Sequence, residues 1–193
     1  MIKNVCVYAS SSRYLEDVYK DAAAQLGRAL AQEGLGLVFG AGGDGLMGAA
    51  ARAATAHGGV TIGVVPELMN VDGVIYDGCT ELYVTRTMRE RKAKMEEMAD
   101  AFIALPGGFG TFEELLEIIA LRQLGYHQKP VAVLNVNGYY DALIAQFDAA
   151  AAQRFAVPEA LTLYGVFSDI GQTLDYIKTH RPETVYKKNR LFK

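Results

Sequence analysis

Apolar positions in this chain fall into short unbroken runs, separated by longer stretches in which they recur every three or four residues. The runs at 5–9, 35–39, 60–65, 81–85, 101–105, 131–136 and 163–167 predict strands. Several are apolar at every position, which is the pattern of parallel strands covered on both faces. The segments 15–33, 45–57, 88–99, 112–124, 139–154 and 170–178 carry helical spacing. Strand and helix alternate along most of the chain, which predicts an α/β fold: a Rossmann-like, doubly wound parallel sheet with helices on both faces. In such sheets ligands bind at the carboxyl ends of the strands, so the loops after strands are where chemistry is expected.

Two of those loops are rich in glycine. Of 20 glycines in 193 residues, seven lie between Gly34 and Gly48, and three more at Gly107, Gly108 and Gly110. Both clusters follow an apolar run and precede a helical segment. Glycine lets a ligand approach the backbone, and a helix N-terminus offers unpaired N–H groups and a positive dipole end. Each cluster is therefore an expected anion site, most naturally for phosphate. Gly40-Ala41-Gly42-Gly43-Asp44-Gly45 also matches G-x-G-x-x-G, with Glu67 about 20 residues on as a ribose-binding acid. That match keeps a dinucleotide-linked oxidoreductase open, although the loop follows the second strand rather than the first.

Charge adds little at the level of the whole chain and much in one segment. With 19 Lys+Arg against 22 Asp+Glu the net charge is −3, and nothing in the total suggests a nucleic-acid or membrane partner. The longest uncharged stretch, 53–66, is too short to span a bilayer. Cys6 and Cys79 match no metal spacing, and the three histidines form no ligand cluster, so no metal is expected. A cytoplasmic location is the reading of the cysteine usage. One unit over 1–180 with a basic tail at 181–193 is the expected organisation.

Five basic residues crowd 86–94. Helical spacing puts Arg91 and Lys92 on the side of Met88, Met95 and Met98, where a cation calls for a bound anion or carboxylate. Arg89 and Lys94 point elsewhere. Thr111-Phe112-Glu113-Glu114 fits a capping box, which would give Glu114 a purely local role. The alternative is that Glu114, one turn from a phosphate loop, acts on a ligand as acid, base or cation stabiliser.

Met88-x-x-Arg91-Lys92-x-x-Met95 followed by Pro106-Gly107-Gly108-x-Gly110-Thr111-x-x-Glu114 resembles the signature of the Lonely Guy (LOG) family, cytokinin riboside 5′-monophosphate phosphoribohydrolases often mislabelled as lysine decarboxylases. The resemblance covers roughly residues 3–140. It implies hydrolysis of the N-glycosidic bond of a nucleoside 5′-monophosphate to free base and ribose 5-phosphate, without a cofactor, by a homodimer. It implies Arg91 and Glu114 as the catalytic pair. Lys92, Gly107, Gly108, Gly110, Thr111 and Glu113 would bind substrate, together with Met88, Ser11 and Gly43. Arg89 stands where the family has histidine, Ala41 interrupts a glycine triplet, and Gly73 lies near the place of an expected glutamate; these departures bear on the base recognised. No pyridoxal-phosphate lysine with a partner for the ring nitrogen stands out, which tells against a decarboxylase. A non-catalytic nucleotide or cofactor carrier remains the alternative, and it would not depend on Glu114.

Overall fold

The computed structural model describes residues 2–181. Seven strands form one sheet: β1 (Asn4–Tyr8), β2 (Gly36–Phe39), β3 (Thr61–Pro66), β4 (Glu81–Thr85), β5 (Ala101–Ala104), β6 (Val131–Leu134) and β7 (Gly165–Phe167). All neighbours are parallel, in the order β4-β3-β2-β1-β5-β6-β7. The doubly wound arrangement expected from the sequence is therefore present, with the chain reversing direction across the sheet between β1 and β5.

Six helices cover it: α1 (Asp17–Gln32), α2 (Gly45–Ala56), α3 (Met88–Met98), α4 (Phe109–Leu124), α5 (Asp141–Ala152) and α6 (Ile170–Thr179). Strand side chains alternate between two cores. Val5 and Val7 pack under α1, α2 and α6, whereas Cys6 and Tyr8 pack with Met95, Leu115 and Ile118 on the other face. That alternation explains why the runs are apolar throughout: each strand has no solvent side. β4 is the exception. It closes one edge and is largely exposed.

Boundaries differ from the sequence reading in one place that matters. The periodicity starts the fourth helix at 112, but α4 begins at Phe109, with Gly108 in the N-cap position. Gly110 and Thr111 therefore belong to its first turn. The capping box predicted for Thr111 and Glu114 does not form, because Thr111 lies inside the helix. A cap of that kind forms on α3 instead: Thr87 Oγ1 accepts from Glu90 N at 3.1 Å, and Glu90 Oε2 accepts from Arg86 N at 2.9 Å. The basic segment 181–193 lies outside the described residues apart from Arg181.

Candidate active site at the β1–β5 switch point

The loops after β1, β2 and β5 meet above the sheet. Ser10 N donates to Pro106 O at 3.2 Å, which ties the first to the third. The Ser10 carbonyl accepts from Leu46 N (2.8 Å) and Met47 N (3.3 Å) in the first turn of α2. That carbonyl occupies donors an anion would need. The Gly43 amide is likewise spent, on Val74 O at 2.9 Å. The first glycine cluster is thus closed by the protein itself, and the anion site expected there is not formed. Glu67 is exposed and lies outside the cleft beside this loop.

The second cluster is built the other way. Phe109, Gly110 and Thr111 are the first three residues of α4, and a helix gives their N–H groups no internal partner. A Cβ at Gly108 or Gly110 would meet nothing within 4 Å, so these glycines leave open space over the helix end. Two tyrosines fix the approach. Tyr140, fully buried, donates to Leu105 O at 2.7 Å, and Tyr139 donates to Gly107 O. Thr111 Oγ1 packs where a Gly107 side chain would sit.

Arg91 and Glu114 stand beside this open end. Arg91 Nη1 donates to Glu114 Oε1 at 2.9 Å, and the two side chains are 11% and 12% exposed. Arg91 Nε donates to Val64 O at 3.1 Å, which anchors the guanidinium to the end of β3. Glu114 Oε2 accepts from no described residue. Burial pushes the Glu114 carboxyl above its ordinary value, and the adjacent Arg91 pulls it part of the way back. The result is a carboxylate in a low-dielectric setting with one oxygen anchored and one available.

A cleft of about 230 Å³ opens next to the pair, between the β2–α2 loop and segment 65–75. Met47, Met69, Val74 and Met88 make it mostly apolar, and Ser11, Asp44 and Arg91 are its polar side chains. Of the residues anticipated from the sequence, Arg91, Met88 and Ser11 line this cleft. Gly43 adjoins it with its amide already used. Lys92 does not line it. Its ammonium binds Glu113 and, at 2.9 Å, Glu117, joining α3 to α4 below the pair. Arg89 is exposed, as its helical position implied, and Lys94 pairs with Glu97.

Four contributors escaped the sequence reading. Tyr139 and Tyr140 carry no local signal, because their partners are 32 and 35 residues away. Asp44 enters the sequence analysis only as one of the unspecified positions of the G-x-G-x-x-G match. Gly40 reads as part of the phosphate loop, but its missing side chain makes room for Arg91.

Fold and site define a Rossmann-type α/β protein with a buried arginine–carboxylate pair at the strand ends. The family described as "possible lysine decarboxylase" matches residues 47–177. The chain belongs to that family, within its LOG branch. It is 44% identical over 82% of its length to cytokinin riboside 5′-monophosphate phosphoribohydrolase LOG of Oryza sativa subsp. japonica, covering 65% of that protein. Two probable phosphoribohydrolases of the same name from that plant are 46% identical (82% of this chain, 64% of the relative) and 39% identical (93% and 85%). The chain thus spans just under two thirds of the first two relatives. Among solved structures, the molybdenum cofactor binding protein of Rippkaea orientalis shares the fold at a TM-score of 0.69 and 24% identity, over 93% of this chain and 97% of that one. The molybdenum cofactor carrier protein of Chlamydomonas reinhardtii does so at 0.69 and 22%, over 92% and 97%.

Proposed function

We propose that the protein hydrolyses the N-glycosidic bond of a nucleoside 5′-monophosphate, releasing free base and ribose 5-phosphate. The observation that carries this reading is the Arg91–Glu114 pair, set one helical turn from the open N-terminus of α4. The named activity of the LOG relatives supports it. In this reading the 5′-phosphate sits on the free amides at 109–111, where the helix dipole favours an anion. The ribose then lies against Glu114. Breaking the bond builds positive charge at the anomeric carbon, which the free Glu114 oxygen stabilises while it orients the attacking water. Arg91 holds the carboxylate in place, and the Lys92 bridge to Glu113 and Glu117 braces the two helices that carry them. The base occupies the apolar cleft.

The protein works as a single unit over 1–180, in the cytoplasm, as a homodimer. The outer side of α4 and the segment after α5 supports the dimer, for Leu116, Leu124 and Phe155 are exposed there at 43%, 56% and 85%. Adenosine monophosphate and a cytokinin riboside 5′-monophosphate, followed by chromatography for base and ribose 5-phosphate, test the activity. Release that disappears in Glu114→Gln supports it. Binding without release, unchanged in that variant, would favour the carrier reading. Light scattering at micromolar concentration tests the dimer.

A further inference from the structure

Asp44 occupies the N-cap position of α2 with an extended backbone, φ −110° and ψ 175°. An aspartate there ordinarily accepts from the amides of the first turn. Asp44 makes no such bond, because the Ser10 carbonyl has taken Leu46 N and Met47 N. Its carboxylate turns to Arg13 instead. Arg13 Nε and Nη2 both reach Oδ2, at 2.8 and 2.7 Å. Oδ1 accepts from no described residue, and Asp44 is the single carboxylate among the residues that line the cleft.

The cleft is too small for a whole nucleotide. Its 230 Å³ falls below the roughly 300–1,000 Å³ of complete small-molecule sites. Phosphate and ribose are accounted for by α4 and the Arg91–Glu114 pair, which leaves the cleft for the base. A base has two apolar faces and a polar edge. Methionine and valine side chains suit the faces, and one acidic group suits an edge.

Resting on the hydrolase reading above, we propose that Asp44 is a specificity-determining residue that reads the base. Its free oxygen accepts the N–H of an exocyclic amino group. An ionised carboxylate is an acceptor only. It therefore matches a 6-amino purine, whether unsubstituted or singly N6-alkylated, and opposes a 6-oxo purine, whose carbonyl presents a second acceptor. Arg13 fixes the orientation from outside the cleft.

The test compares kcat/KM for adenosine monophosphate and inosine monophosphate in the unmodified protein and in Asp44→Asn. The expected result is a preference for the amino base of about tenfold or more. Asp44→Asn should narrow it by about that factor, because an amide can also donate to a 6-oxo group. The melting temperature should stay put, since Asp44 caps nothing. A ratio unchanged by the substitution overturns the proposal. So does a changed discrimination between adenosine monophosphate and its 2′-deoxy form with the amino/oxo ratio intact, which would assign Asp44 to the ribose. If neither nucleotide is cleaved, the hydrolase reading fails separately. Calorimetric binding of the same two nucleotides to both proteins then decides the matter, and equal affinities or no binding overturns the role of Asp44.

Discussion

Arg91 lies in the space that a side chain on Gly40 would fill: a Cβ there would stand 2.0 Å from Arg91 Nη2. The backbone at Gly40 is not left-handed, so alanine fits the chain and the conflict falls on the guanidinium. Gly40→Ala should therefore fold normally and push Arg91 off Glu114. A misplacement near 1 Å costs about 10²-fold in rate. Steady-state kinetics beside a melting curve would show kcat falling by that order with stability held; a fall in stability alone would mean that Gly40 serves only packing.

Glu114 should set the acid limb of the pH–rate profile. In the proposed reaction its ionised form faces the developing cation, so kcat should drop as pH falls through its raised pKa, above the 4.5 of a free glutamate. Glu114→Gln should lose about 10²–10⁴-fold in kcat and lose that limb. The sign for stability is opposite. A carboxyl raised by burial favours the protonated fold, and its contribution is present below pH 4.5 and lost as pH rises through the folded value. The amide variant can still accept from Arg91, so its melting temperature near neutral pH should stay within about 2–4 °C, the shift expected for one kcal/mol.

Gly108 and Gly110 should separate binding from folding. Gly110→Ala places a helix-favouring residue inside the first turn of α4, worth about 0.5–1 kcal/mol of stability. The methyl group also enters the open space beside the amides proposed to hold the phosphate. KM should rise by about tenfold, equivalent to about 1.4 kcal/mol, while the melting temperature holds or increases. An unchanged KM would move the phosphate elsewhere.

Tyr140→Phe removes the donor from Leu105 O at a fully buried position. An orphaned buried carbonyl costs about 1–3 kcal/mol, measurable as a lower denaturant midpoint.

His127 should give the fold a pH dependence of its own. Nε2 donates to Ile118 O at 2.9 Å, and Nδ1 accepts from Lys129 N at 3.2 Å, which requires the neutral ring. Burial lowers its pKa from 6.5. Its contribution is present above pH 6.5 and lost as pH falls through the lower folded value. Denaturant midpoints between pH 7.5 and 5 should decline, and the decline should flatten in His127→Gln.

The sheet was legible in the sequence because burial on both faces leaves an uninterrupted apolar run, as in Val5–Tyr8 and Ala101–Ala104. Arg91 was legible because helical spacing put it on the methionine side of its helix, whereas Glu114 stood out only by its place one turn from a glycine loop, and its burial against Arg91 was not legible. The closing of the first glycine loop was not legible. Nothing in the residues 40–45 says that a carbonyl from residue 10 will fill the helix end, since that contact depends on how two loops meet. The same holds for Lys92, whose cationic charge pointed to an anion and found Glu113 and Glu117.

The Ser10 carbonyl has a consequence for which ligands the proposed site admits. Two glycine-lined helix starts face the same end of the sheet, and a protein with both open could clamp a pyrophosphate or a dinucleotide between them. Here one start is already plugged, and the other has a single set of free amides. On the proposed reading such a site would count phosphates: it would hold one and offer a second no open helix start.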